Sequence, residues 1–165
     1  MTATRPALLV LEDGSVYEGR SVARGTRFGE VVFNTAMSGY QEILTDPSYR
    51  GQIVVMTQPH IGNYGMNPAN AESERIWVEG FIARQFTAVP SNFASEGGLV
   101  ADLQKSGVPA LDGIDTRALV RKLRERGALR GVLTTERSDV AALVAEVREF
   151  PVMTGRALVD EVTCS

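Results

Sequence analysis

The stretch FGEVVFNTAMSGYQEILTDPSYRGQIVVMTQPHIGNYG, residues Phe28–Gly65, decides the reading of this 165-residue chain. Within it, Val31-Val32-Phe33 is a run of β-branched and aromatic residues that predicts a buried strand. Gln52-Ile53-Val54-Val55-Met56 predicts a second strand, which ends before Pro59. Between them lie a short polar helical or turn segment and a loop containing Pro47, and a Gly-rich turn follows. Seven of the residues are Gly or Pro, so the backbone turns tightly several times between buried strands. Polar side chains gather in those turns: Asn34, Thr35, Ser38, Gln41, Thr45, Asp46, Ser48, His60 and Asn63. Small hydrogen-bonding residues held between rigid strands are a common setting for binding groups, so the block is a candidate binding loop.

Outward from this block, the flanks divide by period. Toward the N-terminus, the apolar run Ala7 to Leu11, the pair Asp13-Gly14 and the resumption at Val16-Tyr17 predict a β-hairpin, because Gly accepts positive φ without steric cost. Ile76 to Ala83 predicts a strand covered on both faces, with Trp77 and Phe81 in one register and Val78 and Ile82 near the other. Beyond it helices alternate with strands. Leu99, Val100 and Leu103 fit a short helix ended by Gly107, and Val108 to Leu111 a short strand. Asp115 predicts the N-cap of a helix carrying Ala118, Leu119 and Leu123, stopped by Gly127. Leu129 to Thr134 predicts a strand, and Ser138 the cap of a last helix with apolar positions from Val140 to Phe150. Strands first and β-α units later give one mixed α/β domain. Trp77, Phe81 and the stripe from Val140 to Phe150 are assigned to the core.

Composition narrows the function classes. Hydrophobic residues make up 44% and charged residues 22%, the balance of a globular protein. Seventeen Lys and Arg against 20 Asp and Glu give a net charge of -3, which speaks against nucleic acid as the main partner. No apolar run approaches the ~20 residues of a membrane span, and the N-terminus lacks a secretory signal, so neither a membrane nor export is expected and the chain is assigned to the cytoplasm. Cys164 is the only cysteine and His60 the only histidine, so the chain cannot build a Cys/His metal site, and no metal is expected. Cys164 stands one place from the end of the chain, a poor setting for lowering a thiol pKa, and is not assigned as a nucleophile. His60 has no nucleophile or orienting carboxylate near it in sequence and is given a structural role. One stretch, Arg117 to Arg137, is basic: seven positive residues against Asp115, Glu125 and Glu136 leave an excess of four. Arg121 and Glu125 stand at i, i+4, the spacing of a solvated helix pair; the alternative is contact with an acidic patch on a partner.

The motifs GEVVFNT (29–35), GYQEILTDPSY (39–49), Gln52-Ile53-Val54 and Pro59-His60-Ile61-Gly62-Asn63 together resemble the N-terminal domain of the carbamoyl-phosphate synthase small subunit. LEDG (11–14), SNF (91–93) and IDTRALVRKLRERG (114–127) extend the resemblance over essentially the whole chain. It implies an α/β fold of swivelling type, a three-layer β/β/α domain with a parallel sheet and a smaller antiparallel sheet, over residues 1–165. It implies further that the parent subunit supplies ammonia from glutamine to a large subunit. That subunit makes carbamoyl phosphate from bicarbonate and ATP, a ligase activity feeding arginine and pyrimidine synthesis. ATP and a divalent cation belong to the large subunit, and no cofactor is expected in this domain. The Cys, His and Glu of glutamine hydrolysis belong to a C-terminal class I glutamine amidotransferase domain. No nucleophile elbow occurs in this sequence, so that domain is expected to be absent from the chain, the chain inactive alone and its catalytic residues none. By the same resemblance Ser48, in the TDPSY motif, is the residue expected to contact L-glutamine. A hydroxyl that both donates and accepts suits that task. The competing expectation is a non-catalytic binding or interaction domain of the same fold.

Overall fold

A computed structural model describes residues 4–152. The hairpin expected at the start is present: β1 (Arg5–Leu11) and β2 (Val16–Ser21) pair antiparallel from Arg5↔Ser21 to Val10↔Val16 around the turn at Gly14. β3 (Thr26–Asn34) and β4 (Gln52–Met56) pair in parallel, Val32 opposite Val54, joined by the helix α1 (Tyr40–Thr45). Two further short strands, β5 (His60–Ile61) and β7 (Gln85–Phe86), form a separate parallel pair. β6 (Gly80–Ile82) continues the main sheet. The second half follows the expected alternation: α2 (Leu99–Ser106), β8 (Ala110–Asp112), α3 (Thr116–Arg126), β9 (Leu129–Thr134) and α4 (Val140–Glu149).

The main sheet closes into a seven-stranded barrel in the order β1-β2-β8-β6-β4-β3-β9. The α/β class expected from the sequence is therefore the fold's class. The separation into two sheets takes a different form. A parallel arc, β3-β4-β6-β8, and an antiparallel arc, β2-β1-β9, join at both edges into one sheet, and the second sheet, β5 with β7, is parallel and two-stranded. Closure satisfies every edge of the main sheet by pairing, which a pattern of apolar residues in the separate strands does not announce.

Alternation along each strand builds two layers of core. Leu9 and Leu11 of β1, Val31 of β3, Ile53 and Val55 of β4, Ile82, Leu111 and Leu133 meet in one cluster inside the barrel, and Leu119 and Leu123 of α3 close over it. Val54 and Met56 face the other way, with Phe81, onto Leu44 of α1 and Leu99 and Leu103 of α2. Val10 and Val132 meet Leu143 and Val147 of α4. The parallel arc is covered on both faces, which is why its strands read as continuous apolar runs.

Three local expectations are corrected. The strand foreseen over Ile76 to Ala83 shrinks to β6, because Trp77 donates its backbone N–H to Leu44 O (2.9 Å) of α1 rather than entering a strand ladder. Trp77 is half-buried, not core: Nε1 donates to Ser73 Oγ (2.8 Å) and Arg75 stacks 3.6 Å over its ring. The cap of α4 is Asp139, whose carboxylate accepts from Ala142 N (3.1 Å); Ser138 lies one residue too early. The cap foreseen at Asp115 is present, accepting from Ala118 N (3.0 Å).

Candidate functional site

The segment from Asn34 to Gly51 is the crossover between two parallel strands, and side chains hold its backbone at several points. Asn34 ends β3, accepts from Ala36 N (2.7 Å) and donates through Nδ2 to Tyr49 Oη (2.9 Å). Tyr40 opens α1, 1% exposed, and stacks on Tyr64 with ring centroids 4.1 Å apart. Its hydroxyl donates to Gly65 O (2.6 Å), while Tyr64 Oη accepts from Gly39 N (2.6 Å) and Tyr40 N (3.0 Å). Burial raises the pKa of both phenols, so both stay protonated. Gln41 forms a closed amide pair with Asn67, donating to its O (2.7 Å) and accepting from its N (2.8 Å). Thr45 donates to Gln41 O (2.8 Å) and accepts from Glu72 N (2.9 Å).

The TDPSY motif then makes a single turn of 3-10 helix, Pro47–Tyr49. Asp46 caps it, Oδ1 accepting from Ser48 N (2.8 Å), and Pro47 supplies the fixed φ that suits the first position. Arg50 pairs with Glu79, and Gly51 turns the chain into β4 at φ 82°, a left-handed conformation that favours Gly. Gly51 O accepts from Glu30 N (3.0 Å), an approach possible because Gly29 has no side chain: a Cβ there would stand 2.7 Å from that oxygen.

The polar residues foreseen as a binding cluster therefore separate into two groups. Asn34, Gln41, Thr45 and Asp46 use their side chains to build the crossover. Thr35, Ser38, Ser48, His60 and Asn63 are exposed. Ser48 is distinctive among these because its backbone is fixed on both sides while its hydroxyl has no hydrogen-bond partner among the described residues. His60 sits in β5 opposite Gln85. Cys164 lies outside the described residues. Glu42, in the same block, was also not singled out from sequence; its Oε2 is shielded from solvent without a hydrogen-bond partner among the described residues. No residue pattern distinguishes it from a surface glutamate on a short helix.

Concave surface lies elsewhere. A cleft of about 870 Å³ runs between the end of α1 and α2, lined by Thr45, Ser73, Glu74, Arg75, Asp102 and Lys105 among others; Ser48 is not part of it. A second hollow of about 490 Å³ lies against α3, lined by Thr57, Thr116, Arg117, Val120, Arg121 and Arg124. The pairing expected between Arg121 and Glu125 is not formed; neither residue has an ion-pair partner among the described residues. Among those residues no group of three or more His, Cys, Asp or Glu could hold a metal ion, and no helix is long and apolar enough to cross a membrane.

Residues 9–133 match the family model described as carbamoyl-phosphate synthase small chain, CPSase domain. The carbamoyl phosphate synthase small chain of Chlorobaculum tepidum is 55% identical over 159 residues, 96% of this chain and 43% of that protein. Those of Rhodopirellula baltica and Streptomyces coelicolor are 54% and 52% identical, over 96% and 95% of this chain and 41% and 42% of their own length. The chain thus spans about two-fifths of the length of the curated relatives it matches.

Proposed function

The chain belongs to the carbamoyl-phosphate synthase small-chain family, and from that membership we propose that it is the N-terminal scaffold of a glutamine-using subunit. In this reading the thiol chemistry that releases ammonia from glutamine is carried by the class I amidotransferase part of the family's proteins. A large chain takes up the ammonia and, with bicarbonate, ATP and a divalent cation, makes carbamoyl phosphate in the cytoplasm for arginine and pyrimidine synthesis. The parallel and antiparallel arcs of the barrel support a layered β/β/α description of the same fold, closed along its edges. The role of this chain is to hold one substrate-contacting hydroxyl, that of Ser48, on a turn capped by Asp46 and fixed by Pro47.

The observation that carries the reading is the contrast at the TDPSY turn. Asp46, Pro47 and Tyr49 are occupied with holding it, and within the turn Ser48 alone is exposed, its hydroxyl without a hydrogen-bond partner among the described residues. An unpartnered hydroxyl on a rigid turn can accept from the ammonium of an amino acid or donate to its carboxylate. Loss of one such bond costs about 1 kcal/mol, so Ser48→Ala in the full-length subunit, assembled with its large chain, raises the glutamine KM roughly 3- to 10-fold. Synthesis from free ammonia, which bypasses the site, stays at the parent rate. A glutamine KM unchanged in that variant contradicts the assignment and favours a non-catalytic interaction domain.

A further inference from the structure

Resting on the proposed pairing with a large chain, we propose that the arginine-lined groove of α3 is the docking site for a carboxylate-bearing segment of that large chain. The basic stretch of the sequence is not one surface. Lys122 Nζ binds Asp13 Oδ2 (2.7 Å) and Ser15 Oγ; Arg130 binds Glu12 (2.6 Å) and Arg137 binds Glu146 (2.7 Å). These three cations tie α3, β9 and α4 to the rest of the molecule. Arg117, Arg121 and Arg124 have no hydrogen bond or ion pair among the described residues, and all three are exposed. They stand at i, i+4 and i+7, on one face of the helix.

That face is concave. The hollow of about 490 Å³ between α3 and Thr57, in the loop that follows β4, is continued by a second of about 290 Å³ lined by Arg121, Arg124 and Glu125. Arg121 and Arg124 line both, so the two hollows adjoin across these side chains, and the groove they mark follows the helix for roughly 10 Å over seven residues. Half-buried Val120 gives it an apolar patch, and Thr57 and Thr116 also line it. Guanidinium forks are built to grip carboxylates two hydrogen bonds at a time. All three arginines line the larger hollow, but they are spread over roughly 10 Å of helix, a spacing that suits several carboxylates better than one small anion. An extended acidic segment of protein, placing carboxylates at intervals along the helix, meets all three. The charge complementarity therefore selects an acidic stretch of the partner.

The test is the association of this chain with the large chain, followed by stopped-flow at low and high salt. The double variant Arg121→Glu/Arg124→Glu associates at least about tenfold more slowly at low salt, and the difference narrows as salt rises. Arg121→Ala/Arg124→Ala shows a smaller loss in the same direction. Arg126→Glu, on the same helix but outside the groove, changes the net charge equally per residue and alters the rate less than about twofold. Equal slowing by Arg126→Glu would show a net-charge effect and overturn the groove. So would an unaltered rate in the double variant, or saturation of the groove by inorganic phosphate while the double variant still docks at the parent rate. No association of the unaltered chain with the large chain would contradict the functional reading itself, a result distinguishable from these.

Discussion

In the crossover between β3 and β4, Asn34, Gln41, Thr45 and Asp46 all commit their side chains to the fold. On α3, Arg117, Arg121 and Arg124 commit none among the described residues. Both regions are rich in groups that could bind something. The difference is in what surrounds them. The crossover must turn back on itself between buried strands, so its backbone polar groups need local partners, and nearby side chains supply them. A helix satisfies its own backbone, so the side chains on its outer face are surplus to folding. Polar density in a loop is thus a poor measure of availability, and unpaired charge on a regular element is a better one.

The largest effect expected from this difference is at Tyr40. Tyr40→Ala removes a buried ring stacked on Tyr64 and the bond to Gly65 O. It lowers stability by about 3–5 kcal/mol, read from denaturant midpoints. A loss under 1 kcal/mol would mean that the crossover is not held as described. A smaller effect separates the two kinds of cation on α3. Lys122, with the Ser15 hydrogen bonds, overcomes the effect of burial and holds the Asp13 carboxyl at about 2, below its ordinary 3.8. A depressed folded-state pKa contributes stability that is complete above about pH 4 and is lost as the pH falls toward 2. With both side chains still about a quarter to a third exposed, the contribution is about 1 kcal/mol after screening. Lys122→Ala should lose that increment at pH 7 and unfold with a flatter acid dependence between pH 4 and 2. The same steepness in both proteins would remove the pair from the account. The smallest effect is at Ser48: Ser48→Ala changes stability by no more than about 0.5 kcal/mol, because its hydroxyl supports nothing in the described structure. A larger loss would return the residue to a structural role.

Much of this was legible in the sequence, and the reasons are local. The hairpin at Asp13-Gly14, the cap at Asp115 and the strand Leu129–Thr134 follow from turn chemistry, capping and alternation, each contained in a few neighbouring residues. Barrel closure was not legible, because it depends on β9 pairing with both β1 and β3, partners about a hundred residues away or more. Trp77 misled for a related reason: a large aromatic in an apolar run reads as core until Ser73 and Arg75 are seen to hold it at the surface. In the candidate site, only the family resemblance singled out Ser48; the residues themselves did not separate it from Gln41 or Thr45, since a side chain's partners, Asn67 and Glu72 here, lie outside the motif. The arginines of α3 were visible as charge, and their i, i+4 spacing suggested pairing with Glu125. In the folded chain that pairing is not made.

Urea unfolding of Gln41→Ala and Arg121→Ala, measured side by side, tests that contrast most directly. Gln41→Ala strands the Asn67 N–H and C=O that its amide satisfies, and the predicted loss is about 2 kcal/mol. Arg121→Ala removes a side chain with no partner among the described residues, and its predicted change is within about 0.5 kcal/mol. Equal losses in the two variants would contradict the claim that the crossover uses its polar groups for itself while α3 holds its charges open for a partner.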